Sequence, residues 1–376
     1  MSNKLLVPQI RFKEFTNAWE QEKLRNVVSY HSSMMIASDV KKYGKFDVYD
    51  PNKIVGKTDA EPFRSDYISI VKDGDAGRIR LLPKNTMILS TMGALIAKDP
   101  FKIDFLYYML NAINDLARER NGSIIPHIYF KDYGQNIYNL PSIPEQSKIS
   151  SLFTRLDSLI TLHQRKLLSL KNLKSRLLDR MFCDEKSQFP SIRFKEFTNT
   201  WEQEKLGNLT ILNRFPQISA QRLWELNQYF GEVFLLPSSD NNNWKCKYSK
   251  EIANLINTGE VITIGRARNP NVKYVNGAFI SSQNHIIESK TTDALLNKFL
   301  YLFITKVGKK FYGFESTYPM FTKIDFLNTK FSFPIVSEQI KIIKTIDILD
   351  FLITLHQRKL NSLKNIKNTL LNKMFV

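Results

Sequence analysis

"LITLHQRKL" runs from Leu159 to Leu167 and returns, letter for letter, from Leu352 to Leu360. Around each copy the match widens. "LDSLITLHQRKLLSLKNLKSRLLDRMF" (Leu156–Phe182) and "LDFLITLHQRKLNSLKNIKNTLLNKMF" (Leu349–Phe375) agree at 20 of 27 positions, 193 residues apart. Upstream of each lies a second matched piece: "PQIRFKEFTNAWEQEKL" (Pro8–Leu24) and "PSIRFKEFTNTWEQEKL" (Pro190–Leu206) agree at 15 of 17 positions, 182 residues apart. The chain of 376 residues is therefore a tandem duplication.

The later pair of repeats reads as two long helices. "PSIPEQSKISS" and "PIVSEQIKII" place Pro and Ser ahead of Glu-Gln, a helix start. No Pro or Gly follows until Pro190 in the first copy, or the chain end in the second. The spacing predicts a first helix from about Pro144 to Phe182, roughly 58 Å at ~1.5 Å per residue. Its core-facing positions alternate four and three: Ile149, Phe153, Leu156, Ile160, His163, Leu167, Leu170, Lys174, Leu177, Met181. The second copy repeats the alternation from Ile342 to Met374, with His356 and Lys367 in the same places. A heptad seam of this length needs a partner, and the other copy supplies one, so the nine repeated letters form the middle of a coiled-coil rod. His163 and His356 are expected as packed polar residues that set register, since no Cys or second His lies within helical reach for a metal.

Between the matched pieces the halves diverge. Residues 25–140 and 207–333 differ in sequence, and the second stretch is 11 residues longer. A common plan survives: "DFLYYML" at Asp104 parallels "KFLYLFI" at Lys298, and Ser123, Pro126, Asp132 and Pro141 recur as Ser316, Pro319, Asp325 and Pro334. Both stretches mix short β-rich runs, broken by Gly and Pro, with helix, in no regular βαβ rhythm. Two α/β modules of one fold with different surfaces, on one scaffold, make an α+β chain.

The formal net charge is +18, with pI about 9.6, which points to a polyanionic partner and above all nucleic acid. In the second module, "IGRARNPNVKY" gathers Arg266, Arg268, Asn269, Asn271, Lys273 and Tyr274, and "SSQNH" adds Ser281, Ser282, Gln283, Asn284 and His285. Arg suits guanine edges, Asn and Gln suit adenine edges, and Lys and Tyr suit phosphates. The first module offers Lys72, Asp73, Arg78, Arg80, Thr91 and Met92.

Catalytic signatures are missing. "VGKT" (Val55–Thr58) has Pro51 where a P-loop requires its first Gly. There is no Asn-Pro-Pro-aromatic tetrapeptide of the kind amino-methylating enzymes use, and no Gly-rich loop opening a Rossmann unit. "ESK" at Glu288 matches a nuclease triplet that is common by chance. Two cysteines, Cys183 and Cys246, make neither a disulfide framework nor a zinc site. No run of about 18 apolar residues predicts a membrane span, and the N-terminus shows no signal-peptide core.

Taken together, the "W-E-x-E-K-L" module openings, the "P-x-x-x-E-Q" helix starts at Pro141 and Pro334, the "LHQRKL…LLxxMF" helices, and the "VKDGDAGRI…STMG" and "VITIGRARN" stretches carry a resemblance. Over essentially its whole length the chain resembles the specificity subunits of type I restriction–modification enzymes. The resemblance implies two target recognition domains, 1–140 and 190–333, separated by two long antiparallel helices within 141–189 and 334–376, as a pseudo-twofold tandem repeat. It implies that each domain reads half of a split double-stranded DNA site. It implies that the helices set the spacing and offer equivalent docking sites, at His163, Gln164 and Arg165 and at His356, Gln357 and Arg358. The implied partners are two methylation subunits, which transfer a methyl group from S-adenosylmethionine to adenine N6, and two restriction subunits that use ATP and Mg2+. This chain itself is expected to be non-catalytic, to hold no cofactor and to sit in the bacterial cytoplasm with the nucleoid, away from the membrane. Two rivals stay open: a stand-alone bipartite DNA-binding regulator with a coiled-coil spacer, and a purely structural coiled-coil protein.

Overall fold

The computed structural model describes residues 7–120, 126–184, 187–266, 269–312 and 319–375. The two expected long helices are present as Ile143–Arg180 and Val336–Met374. The chain divides into two compact units, Met1–Arg165 with Gln357–Val376, and Lys166–His356. Each unit thus contains one module, the first part of its own long helix and the last part of the other.

Inside the first unit are β1 (Glu20–Lys23), β2 (Val28–Ser32), β3 (Phe46–Tyr49), β4 (Ile54–Thr58), β5 (Tyr67–Val71), β6 (Ile79–Leu82), β7 (Thr86–Ile88), β8 (Met92–Ala97) and β9 (Ile137–Leu140). The second holds β10 (Glu202–Lys205), β11 (Thr210–Leu212), β12 (Val233–Leu236), β13 (Lys245–Cys246), β14 (Asn257–Gly265), β15 (Val272–Ser281), β16 (Asn284–Ser289) and β17 (Lys330–Phe333). The order β2-β8-β5-β6 in the first recurs as β11-β16-β14-β15 in the second, antiparallel throughout. Both four-strand cores then lead into an apolar helix, Ile103–Ile113 or Asn297–Val307, where the recurring "FLY" puts Phe105 and Leu106, and Phe299 and Leu300, wholly inside. The modules differ in what lies around this core. The first folds β3, β4 and β7 into a separate three-stranded sheet, whereas the second lays β12 and β13 along the edge of β15.

The repeated pieces account for how such different modules share one scaffold. Identical "EQEK" strands, β1 and β10, pair antiparallel with β9 and β17, so that Lys23 faces Ile137 and Lys205 faces Lys330. Each module leaves and rejoins the scaffold through one ladder, and what lies between can change without moving the junction. The Glu-Gln of the helix start then locks this junction to the helix. Glu145 accepts two hydrogen bonds from Arg11, each 2.7 Å, and Glu338 accepts two from Arg193, each 2.8 Å. Both carboxylates are buried in the first turn of their long helices. Gln146 donates to the Pro141 carbonyl and accepts from the Lys102 N–H, and Gln339 does the same with Pro334 and Leu296. The helix, its preceding strand and the apolar module helix are thereby fixed together.

The far ends of the helices explain "MF". In the first unit Phe375 packs on Trp19 and Phe105, with ring centroids 6.5 and 5.6 Å apart. In the second, Phe182 packs on Trp201 and Phe299, at 6.4 and 4.9 Å. Each helix therefore begins in the core of its own module and ends in the core of the other. Within each unit the two helix segments run antiparallel. Phe153 meets Phe375 and, one turn on, Asp157 meets Lys367 at 2.5 Å. In the second unit Lys174 meets Asp350 at 2.6 Å while Leu178 joins Ile342 and Ile346 in one cluster. The two lysines predicted in the seam, Lys174 and Lys367, are thus reciprocal partners of the two repeated aspartates. Predicted seam residues Ile149, Phe153, Leu156, Leu167, Ile342, Ile346, Leu349 and Leu360 are buried, whereas His163 and His356 are half-buried. No helix among the described residues is long and apolar enough to cross a membrane.

Candidate nucleic-acid interface

The sequence candidates of the first module converge on one end of its four-strand core, where β5 stops and β6 and β8 start. The Lys72 N–H donates to the Thr91 carbonyl at 2.9 Å, and the Lys72 carbonyl accepts from the Ile128 N–H at 3.1 Å. Lys72 is half-buried; Asp73, Arg78 and Thr91 are exposed. Asp73 bridges to His127, whose Nδ1 lies 2.6 Å from the carboxylate Oδ1. Arg78 donates to the Pro51 carbonyl at 2.6 Å and pairs with Asp75 at 3.2 Å. Arg80 reaches the Asp50 and Pro51 carbonyls at 3.3 Å and lies 5.3 Å over the Tyr49 ring. These two arginines tie the rim to the turn between β3 and β4.

The second module builds the same rim from different letters. The Arg266 N–H donates to the Gln283 carbonyl at 3.2 Å, and the Arg266 carbonyl accepts from the Phe321 N–H at 2.9 Å. Position for position this is the backbone arrangement of Lys72, Thr91 and Ile128. One cationic residue, fixed by its main chain on both sides, stands at the same place in each module. Arg266, Asn269 and Gln283 are exposed, and Gln283 takes the left-handed conformation (φ 55°) that makes its two-residue turn. His285 stacks on Phe321 at 4.3 Å, and Asn213 Nδ2 lies 3.3 Å from its Nδ1. Burial and then the nearby Arg266 and Lys323 lower the His285 pKa, which favours the neutral imidazole.

Four candidates turn inward, and the expectation that they meet DNA is corrected by their surroundings. Met92, at the start of β8, is wholly buried in a cluster with Tyr67, Leu82 and Ile88. Asn284 is fully buried, its amide donating to the Leu236 and Ser282 carbonyls and the Ser281 hydroxyl. Ser282 is 1% exposed, its N–H bound to the Leu236 carbonyl. Lys273 is buried with its ammonium on the Pro237 and Ser239 carbonyls, and burial pulls its pKa down to about 8 against a weaker pull from Asp240. The Lys273 and Asn284 side chains and the Ser282 N–H close the segment after β12 onto the sheet. Tyr274 is half-buried and donates to Glu260 at 2.5 Å, beside Tyr301 of the apolar helix, which directs its hydroxyl into the module. Asn271 is half-buried and donates to the Ser238 carbonyl at 2.7 Å. Arg268 lies outside the described residues.

Two segments escaped the sequence reading. One is Pro126–Lys131, with His127 and an exposed Tyr129 5.4 Å from the Lys131 ammonium; the other is its counterpart Pro319–Lys323, with an exposed Met320. Their only sequence signal is the recurrence of Pro126 as Pro319. On the long helices, Gln164, Arg165 and Arg358 are exposed and Gln357 is half-buried. Among the described residues no group of three or more His, Cys, Asp or Glu could hold a metal ion, and Glu288 of "ESK" pairs with Arg214 at 2.9 Å.

Duplicated modules on reciprocal helices are also the architecture of known proteins. The S subunit of a type I restriction–modification system from M. genitalium superposes with a TM-score of 0.73 at 16% identity, covering 98% of this chain and 99% of that one. A chain from a structure on complex assembly and conformational transition of the type I R-M system matches with a TM-score of 0.51 at 15% identity, over 96% and 98% of the two chains. In sequence, the type I restriction enzyme MjaVIII specificity subunit of Methanocaldococcus jannaschii is 24% identical over 335 residues, 82% of this chain and 77% of that protein. The family model for the type I restriction modification DNA specificity domain matches twice, at residues 17–172 and 198–365, once per repeat. Both halves are therefore specificity domains, and the chain belongs to the type I restriction–modification DNA specificity family. It is a specificity subunit, a non-catalytic component that serves DNA sequence recognition in the restriction–modification complex.

Proposed function

We propose that this subunit reads a split double-stranded DNA target, one half-site through the rim around Lys72 and the other through the rim around Arg266. The observation that carries this reading is the shared slot: two modules of unrelated sequence hold one cationic residue by the same pair of main-chain hydrogen bonds. Exposed neighbours differ between the modules, as expected when a common contact positions the duplex and variable ones identify bases. The proposed recognition domains span 1–140 and 190–333, with the helical segments 141–189 and 334–376 as spacer. Around the repeated "LITLHQRKL", the segments His163–Arg165 and His356–Arg358 offer one docking surface twice. Two methylation subunits would take these places, and two restriction subunits would join the assembly. S-adenosylmethionine for adenine-N6 methylation, and ATP and Mg2+ for cleavage, belong to those partners in this reading, and the complex works in the cytoplasm on chromosomal and invading DNA. Family membership sets aside the stand-alone regulator.

The test is methylation of a randomised DNA library by the subunit assembled with its methylation partners. Arg266→Ala is expected to weaken one half-site by about 1–3 kcal/mol if the guanidinium reads a base. A uniform loss over all sequences, shrinking with added salt, makes it a phosphate contact. No change at either half-site contradicts the assignment of the rim.

A further inference from the structure

The two rims share their cation but not its neighbours. The residue after Lys72 is Asp73, and the residue before Ile128 is His127; in the sequence of the second module, Ala267 follows Arg266 and Met320 precedes Phe321. Asp73 and His127 face each other across a β-bridge, and the Gly74 N–H on the Pro126 carbonyl, at 2.9 Å, holds the two strands together on the far side. The side chains meet at 2.6 Å and are 43% and 40% exposed. A carboxylate oxygen accepts, so the bridge takes the imidazole tautomer that carries its hydrogen on Nδ1.

An exposed carboxylate is out of place on a surface that meets phosphates, since a polyanion repels it. The neighbouring Asp75 is offset by Arg78 at 3.2 Å and Arg120 at 3.8 Å, so it belongs to an internal ion-pair group. Asp73 has an imidazole instead, a partner that orients it while leaving it an acceptor. In the major groove a carboxylate has one complementary feature, the exocyclic amino group of cytosine or adenine. We propose that Asp73, positioned by His127, is the base-reading acceptor of the first module, taking a hydrogen bond from cytosine N4 or adenine N6. This rests on the assignment of the rim to DNA and gives it a chemical identity. Guanine and thymine present carbonyl oxygens at the equivalent place and are rejected by repulsion between acceptors. The second module, with Ala267 and Met320, lacks this acceptor pair and reads its half-site by other chemistry.

The experiment is library methylation by the assembled complex carrying Asp73→Asn, His127→Ala, His127→Asn or Lys72→Ala. Asn at 73 can both accept and donate. Asp73→Asn is therefore expected to relax one position of one half-site from an amino-bearing base toward any base, cutting discrimination roughly ten- to a hundredfold. His127→Ala should relax the same position less, and His127→Asn, which keeps a donor for the carboxylate, should recover most of it. The other half-site should not change, and melting temperatures should stay close to the parent because both groups are exposed. If Asp73→Asn and His127→Ala preserve every base preference while Lys72→Ala weakens methylation, the pair is not a reader, although the rim still binds DNA. If Lys72→Ala is silent too, the rim assignment itself fails. Equal loss at all positions of both half-sites would also overturn the proposal.

Discussion

Glu145 and Glu338 show how much a single residue holds here. Each is buried, bound twice by an arginine from the repeat opening, and placed at the start of a long helix. Removing the arginine strands a buried charge, which costs about 3–5 kcal/mol. Arg11→Ala should therefore lower the unfolding free energy of its unit by about that amount, measured by denaturant titration, whereas Lys13→Ala nearby should change little. A loss below about 1 kcal/mol would mean that water reaches Glu145. Lys273 gives a pH signature. Its folded pKa, about 8, lies below the ordinary 10.5, so the folded state binds this proton less tightly than the unfolded chain. Stability from this group is then lowest below pH 8 and rises as pH climbs from about 8 toward 10.5. The melting temperature of the parent relative to Lys273→Met should increase over that window; a constant difference would contradict the burial of a charged amine. The same residue shows what the sequence hid. Polar letters in a turn look alike whether they face solvent or close a loop. The acceptors that draw Lys273 and Asn284 inward, the carbonyls from Leu236 to Ser239, come from a segment more than 30 residues away.

At the scale of elements, the long helices were legible because their seam spacing is local and repeats for several heptads. The strands were legible only as short runs, because pairing joins residues far apart in sequence: Tyr30 faces Leu95 and Glu20 faces Leu140. The common order of the two cores could not be read at all, since the modules share almost no letters. Helix register is set by a polar pair repeated with the scaffold, Asp157 with Lys367 and Lys174 with Asp350. Half-exposed pairs of this kind add only about 0–1 kcal/mol each, so their value is in alignment. Asp157→Lys should destabilise the first unit, and adding Lys367→Asp should restore it, giving a coupling of about 0.5–1 kcal/mol in a double-mutant cycle. Additive effects would show that the apolar seam alone sets register.

For the whole molecule, the proposed spacer role makes helix length a variable to test, since each long helix ends in the other module's core. Seven residues inserted into each long helix, after Arg165 and after Arg358, keep the heptad phase and add about 10 Å. At ~3.4 Å per base pair, the preferred unread spacer should lengthen by roughly three base pairs with both half-sites intact. An unchanged spacer in an assembled, folded complex would leave the helices as docking surfaces only. The central claim, that each module reads one half-site independently of the scaffold, has a more direct test. Because β1 and β10 are identical and each closes its module, residues 24–136 can be replaced by a second copy of residues 206–329. The resulting chain carries one reading surface twice on reciprocal antiparallel helices. Library methylation by its complex should then select an inverted repeat of the half-site that the second module reads in the parent. Continued selection of the first module's half-site, or the appearance of a half-site that belongs to neither module, would contradict the account.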